Sequence, residues 1–240
     1  MNTAEPARLD HIRRPKSFSR RTLLKAAFAG AISCAIPRFV RAQTAIVLPT
    51  AAGNRQFSVL YKGKKIGAHS VLYSPATGET RVNTEIRLLV KVAFLTLFAF
   101  RHRSEETWRD GRLMSLDSET VEHGETLHVQ GAATPEGFRV VSKAGPFIAS
   151  AETLTSNTLW TAAVLEQATL VDAQHGGVIG VSARKFGDEE TVIGDRTIRV
   201  TRYTFITPYL AGSIWYDEEG LWVRGEFERD GSKIQYRLDT

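Results

Sequence analysis

The sequence predicts a mainly β protein, a single curved antiparallel sheet of half-barrel or barrel-like form with one short helix. Three observations lead there. Stretches of alternating apolar and polar residues recur from Gln56 to the C-terminus, the period of two expected of strands. Gly, Pro and Asp steps punctuate these stretches as hairpin turns. One segment alone carries the period of a helix. No Pro/Ser-rich linker and no repeat of solenoid length interrupts the body, so 56–240 is expected to be one β domain. Twelve Phe, six Tyr and four Trp in 240 residues supply enough large apolar side chains for a packed core.

The N-terminal 42 residues have a different character. Ser19-Arg20-Arg21-Thr22-Leu23-Leu24-Lys25 precedes a mild apolar run, Ala26 to Ile36, then Pro37 and Val40-Arg41-Ala42. Basic segment, apolar core and small-residue cleavage site are the parts of a secretory signal. The paired arginines resemble a bacterial twin-arginine signal, which implies recognition by the twin-arginine translocase through Arg20 and Arg21 and cleavage after Ala42. The expectation is a periplasmic protein. Two alternatives stay open: a basic amphipathic N-terminal helix, and a lipid anchor on Cys34 within the lipobox-like Ala31-Ile32-Ser33-Cys34. The apolar run is too short to span a bilayer, so no transmembrane helix is expected in the mature chain.

The leader also accounts for the charge. It holds nine of the 31 Lys and Arg but two of the 26 acids, which leaves 22 basic and 24 acidic residues in 43–240, a net of −2. A nucleic-acid footprint is therefore not expected of the body. Residues 43–240 contain no cysteine, which excludes disulfides, thiolate metal sites and cysteine nucleophiles from a mature chain.

In order along the body, 43–55 is a loose leading segment rich in Ala, Thr, Pro and Gly. Phe57–Tyr61 and Ile66–Tyr73 form a hairpin about Gly63, and Thr80–Val90 is the next strand. Ile86–Phe100 reads as a strand apolar on both faces, with Val92, Phe94, Thr96, Phe98 and Phe100 on one of them. Arg101–Glu106 reads as that strand leaving the core for water. Arg103–Arg109 and Arg112–Val121 meet at Asp110-Gly111; Thr126–Gln130 follows His123-Gly124, and Phe138–Lys143 follows Pro135-Glu136-Gly137. Asn157 caps the predicted helix Thr158–Gln167. The strands Val178–Phe186, Glu190–Ile193, Thr197–Thr207, Gly212–Tyr216, Leu221–Glu228 and Lys233–Leu238 complete the chain.

The sharpest local pattern is Ile214-Trp215-Tyr216-Asp217-Glu218-Glu219-Gly220-Leu221-Trp222-Val223-Arg224. With Asp217–Gly220 as a four-residue turn, Tyr216 is expected opposite Leu221 and Trp215 opposite Trp222, a cross-strand aromatic pair. This hairpin resembles a family of exported bacterial proteins of unknown function. So do Glu106-Thr107-Trp108-Arg109-Asp110-Gly111-Arg112-Leu113, the stretch from Ser156 to Gly176, and Glu190-Thr191-Val192-Ile193-Gly194. More distantly the chain is similar to periplasmic lipoprotein carriers of the LolA/LolB type. That resemblance implies an unclosed antiparallel barrel about an apolar cavity for acyl chains, and it supplies no catalytic residues.

No nucleophile elbow, zinc-protease helix, phosphate loop or dinucleotide fingerprint occurs in the body, and no cofactor or metal is assigned. The residues expected to line a hydrophobic or lipid-like ligand are Phe94, Phe98, Phe100, Trp108, Tyr203, Phe205, Trp215 and Trp222. A ligand-binding protein is thus the leading expectation. A cell-envelope scaffold with a filled core is the alternative, and an unrecognised hydrolase the third.

Overall fold

The computed structural model describes residues 46–50, 53–92, 95–229 and 231–239; the N-terminal segment with Arg20, Arg21, Cys34 and Ala42 lies outside them, as does Phe94. Thirteen strands form one antiparallel sheet. Its first eight are β1 (Arg55–Tyr61), β2 (Lys64–Ala76), β3 (Glu79–Val92), β4 (Leu95–Arg109), β5 (Arg112–Glu122), β6 (Glu125–Thr134), β7 (Gly137–Ser142) and β8 (Phe147–Ala149). The chain then leaves the sheet through 150–181, which carries the two-stranded pair β9 (Thr169–Val171) and β10 (Val178–Gly180). It rejoins as β11 (Ser182–Ile193), β12 (Arg196–Ile206), β13 (Ala211–Asp217), β14 (Trp222–Arg229) and β15 (Ser232–Leu238).

In space the order is β11-β12-β13-β14-β15-β1-β2-β3-β4-β5-β6-β7-β8, so β11 and β8 are edges and the sheet is not closed into a barrel. The central β1 joins the two halves, pairing with β15 on one side and β2 on the other. Every other connection in the sheet, apart from 150–181, is a hairpin. The tight ones follow from turn chemistry. Lys62-Gly63, Asp110-Gly111 and His123-Gly124 each place two successive residues at positive φ, 50° and 76°, 50° and 71°, 52° and 81°. That is the turn whose twist matches paired strands, and glycine at its second position avoids a Cβ clash.

Residues 150–181 pack against one face of the sheet and make it the interior. Leu154, Trp160, Val164, Leu170, Val171 and Ile179 from this segment are buried with Val71, Val82, Trp108, Leu116, Phe138 and Val140 from the sheet. A second cluster continues the interior onto the C-terminal strands with Phe57, Phe205, Ile214, Tyr216, Trp222 and Phe227.

The structure corrects three expectations. The apolar stretch Ile86–Phe100 is two strand ends facing each other, since Val90 pairs with Phe98 and Lys91 with Thr96 across β3 and β4. Both arms are apolar, so a run-length reading merges them. The predicted helix Thr158–Gln167 is two short 3-10 turns, Thr158–Trp160 and Ala162–Glu166. The Asn157 side chain does not cap the first turn: its Nδ2 donates to Ser104 Oγ at 2.7 Å, a buried tertiary partner that outcompetes the local one. Finally, Tyr216 pairs with Trp222 and Trp215 with Arg224: Asp217 stands opposite Leu221, so the turn holds three residues rather than four, and a bulge between Trp215 and Tyr216 shifts the β13–β14 register by one more. Asp217 Oδ1 holds that turn, accepting from the backbone N–H of Glu219 and Leu221.

Candidate functional site

β4 crosses the whole interior, and its alternate residues mark what lies along it. Phe100, His102, Ser104, Glu106 and Trp108 are buried, while Arg101, Arg103 and Glu105 are exposed on the other face. Arg101 and Arg103 both pair there with Glu119. The expectation that Arg101–Glu106 leaves the core for water is therefore overturned. Three polar side chains in that run point inward because residues elsewhere in the chain provide partners for them.

Those partners form a polar latch. Thr155 Oγ1 donates to Glu106 Oε1 at 2.5 Å, and Trp108 Nε1 donates to Glu106 Oε2 at 3.1 Å. His102 Nδ1 meets Thr120 Oγ1 at 2.8 Å. Ser118 Oγ donates to the Ala173 carbonyl at 2.6 Å. Burial pushes the Glu106 carboxyl up to about 7 despite the two donors, since a charge in so dry a place is poorly solvated. Burial likewise lowers His102 to about 4 and His69 to about 3. Both nitrogens of His69 and Nε2 of His102 have no hydrogen-bond partner among the described residues.

Toward the Asp110–Gly111 end of the latch the interior is filled. Trp160 stands edge-on to Tyr73 and to Trp108, with ring centroids 5.5 and 5.7 Å apart. Toward the His123–Gly124 end it is hollow. A cavity of about 450 Å3 lies there, within the range of small-molecule sites. Two rows of the ladder lead up to it. Phe57, His69, Ile86, His102 and Thr120 are in register across β1 to β5, followed one step nearer the rim by Val59, Gly67, Leu88, Phe100 and Glu122. The apolar wall comes from Ile86, Leu88, Val90, Phe98 and Phe100, facing Ile234 and Tyr236 of β15. Leu159, Leu170 and Ile179 of the inner segment close it from within, and Phe205, Tyr209 and Leu210 from the β12–β13 end.

One side of the cavity is polar. Glu122 and Asp172 both line it, and His175 bridges them, Nδ1 to Asp172 Oδ2 at 3.1 Å and Nε2 to Glu122 Oε2 at 3.3 Å. The hydrogen bond to Asp172 raises the His175 pKa above its ordinary value, which favours the imidazolium. Asp172 is held in place by its own turn, its Oδ1 accepting from the backbone N–H of Gln174 and His175.

The family model of a domain of unknown function, DUF6134, matches residues 57–239. The chain belongs to the DUF6134 family. No curated protein matches it. Among solved structures, a crystal structure described as a β-barrel-like protein of a domain of unknown function, DUF1849, from Brucella abortus is similar to this DUF6134 protein at 9% identity. The TM-score is 0.57, over 77% of this chain and 94% of that one, which is a likeness of fold.

Within the DUF6134 domain the aromatic residues singled out from sequence are dispersed. Phe98, Phe100 and Phe205 line the cavity together. Trp108 lies in the filled half. Trp222 stacks on Phe57 at 4.1 Å, and Tyr203 stands edge-on to Tyr216 at 6.0 Å. Trp215 faces the opposite side of the sheet, where it packs with Val200 and Val223 between Arg202 and Arg224, whose guanidinium carbons lie 5.1 and 4.7 Å from its ring centre. The run Glu105-Glu106 reads from sequence as a solvated edge, yet Glu106 is fully buried. Glu122, Asp172 and His175 were also missed as a group. The strict alternation from Phe98 to Trp108 is the signal that marks Glu106 as inward; nothing local marks the other three as neighbours.

Proposed function

We propose that this is an exported periplasmic protein that binds a hydrophobic or lipid-like ligand in the concavity of its unclosed sheet. The observation that carries the reading is the cavity, about 450 Å3 and walled mainly by Ile, Leu, Val and Phe side chains. An apolar ligand of that size gains roughly 25 cal/mol for each Å2 of apolar surface removed from water. A scaffold with a filled interior has no use for such a hollow, and this favours the ligand reading. The likeness to LolA/LolB-type carriers belongs to the same reading and rests on the unclosed sheet with an apolar interior. Export rests on the Arg20–Arg21 leader, and among the described residues no helix is long and apolar enough to cross a membrane.

The test is to express the chain with its own leader, recover it from the periplasm, and record native and denaturing mass spectra of one sample. A lipid-sized adduct lost on denaturation is expected. The denaturing mass also reads cleavage after Ala42 against a heavier product lipidated at Cys34. Phe98→Asp places a charge in the wall and is expected to abolish the adduct, with circular dichroism confirming that the variant is folded. A folded wild-type protein that carries no adduct and takes up none from lipid sinks the reading.

A further inference from the structure

We propose that two copies of this chain pair through β11, edge to edge and antiparallel, about a two-fold axis that passes between Phe186 and Gly187. The sheet has two edges of unlike build. β8 is three residues long, whereas β11 runs for twelve, Ser182–Ile193, and no strand covers its free side among the described residues. The N–H and C=O groups on that side are a template for one more strand. None of the β11 residues lines the cavity, so the proposal stands apart from the ligand reading.

The bulge in β11 selects a second copy as the partner. Lys185 pairs with Tyr203 and Gly187 with Arg202, which makes Phe186 the extra residue. Side chains alternate between faces along a strand, and one extra residue reverses the alternation. Arg184, Phe186 over the Arg202 guanidinium, Gly187, and Glu189 bonded to Trp215 therefore share the outer face of the sheet. Ala183, Lys185, Asp188 and Glu190 share the other. About an axis between Phe186 and Gly187, and in no other register centred on the bulge, every residue meets one of its own face. Lys185 then stands opposite Asp188 of the second copy and Arg184 opposite its Glu189, two pairs of opposite charge that each occur twice. Arg184 is exposed and makes no ion pair of its own among the described residues. Lys185 and Asp188, each 55% exposed, already pair along the edge, and the axis brings two such pairs together in an alternating square.

The apolar contact has the same symmetry. Phe186 is 61% exposed, and beside Gly187 there is open space where a Cβ would stand. The Phe186 ring of each copy covers Gly187 of the other, the way an aromatic side chain shields an edge glycine. The register also sets Val192, 68% exposed, opposite Val181 of the second copy. A bulge turns an edge strand away from a straight partner, but a copy related by an axis through the bulge carries the same bend.

The test is sedimentation velocity on the full chain over a range of protein concentrations, where a species of twice the chain mass is expected to grow with concentration. Asp188→Lys sets lysine against lysine on both sides of the axis and is expected to weaken the dimer at least about tenfold. Adding Lys185→Asp to it reverses both charges and is expected to restore the dimer. Arg184→Glu, placed against Glu189 of the second copy, is expected to weaken it at least about tenfold as well, with circular dichroism confirming that each variant is folded. A wild-type chain that stays monomeric up to its solubility limit overturns the proposal. So does a dimer that Asp188→Lys and Arg184→Glu leave unchanged, or one that the double charge reversal fails to restore.

Discussion

The interior near the Asp110–Gly111 turn and the interior near the His123–Gly124 turn are built on the same strands and filled differently. At the first, the 3-10 turns of the inner segment deliver Trp160 against Trp108 and Tyr73, and the space is occupied. At the second, the same segment supplies Leu159, Leu170 and Asp172 as wall, and a cavity remains. The strands do not distinguish the two ends, since β4 offers an inward aromatic at both, Trp108 and Phe100. Between them lies the latch of Glu106, Thr155, Ser104 and Asn157, which fixes how far the inner segment reaches. An aromatic side chain is core or ligand wall here according to what a distant segment places opposite it.

The largest expected effect breaks the filled end. Trp160→Ala removes the shared partner of two aromatic rings and is expected to cost about 3–5 kcal/mol in a denaturant titration, as large-to-small core changes do. A loss below about 1 kcal/mol shows that this end is not close-packed.

Next is the latch. The folded Glu106 carboxyl sits at about 7, above its ordinary 4.5, so the folded state holds its proton more tightly than the unfolded chain. The stability this provides is complete below about pH 4.5 and lost as pH rises through 7, roughly 3 kcal/mol in all at about 1.4 kcal/mol per unit. Glu106→Gln is expected to flatten unfolding free energy between pH 5 and 7, measured at several pH values. A slope in the variant equal to that of the wild type refutes the assignment.

The opposite sign is expected of the buried histidines that flank Ile86. Folded pKa values of about 3 for His69 and about 4 for His102 lie below the ordinary 6.5. Stability is therefore present above pH 6.5 and lost as pH falls through those values. His69→Leu, at a site whose ring nitrogens have no described partner, is expected to shift the acid unfolding midpoint to lower pH, read by tryptophan fluorescence. An unmoved midpoint shows that other groups govern acid unfolding.

The smallest effect on stability belongs to the open end. Phe98→Ala trims a half-buried side chain that already faces a cavity, and is expected to cost under about 2 kcal/mol while weakening ligand binding far more than Trp160→Ala does. If Phe98→Ala costs as much stability as Trp160→Ala, the contrast between the two ends fails.

The Lys62-Gly63, Asp110-Gly111 and His123-Gly124 turns, the alternation of the strands and the antiparallel sheet are legible in the sequence because each depends on a few consecutive residues. The same locality explains the errors. A turn one residue shorter and a one-residue bulge together place Trp215 opposite Arg224 rather than Trp222, and two apolar strand ends close in sequence read as one strand. The candidate site was legible in part, in Phe98, Phe100 and Phe205, because large aromatic side chains at alternate strand positions mark a face that has to be covered.

What the sequence by itself determined about this protein is its mainly β character, its tight glycine turns and an N-terminal 42 residues that stand apart in charge. What only the tertiary structure decided is which face of the sheet is inside, where the interior is full, and which charges meet within it. The physical reason is distance along the chain. Glu106 turns inward where Thr155 arrives from 49 residues away to donate to it, and His175 reaches Glu122 across 53. Such contacts depend on how the whole sheet curves around its inner segment, and no local pattern encodes that.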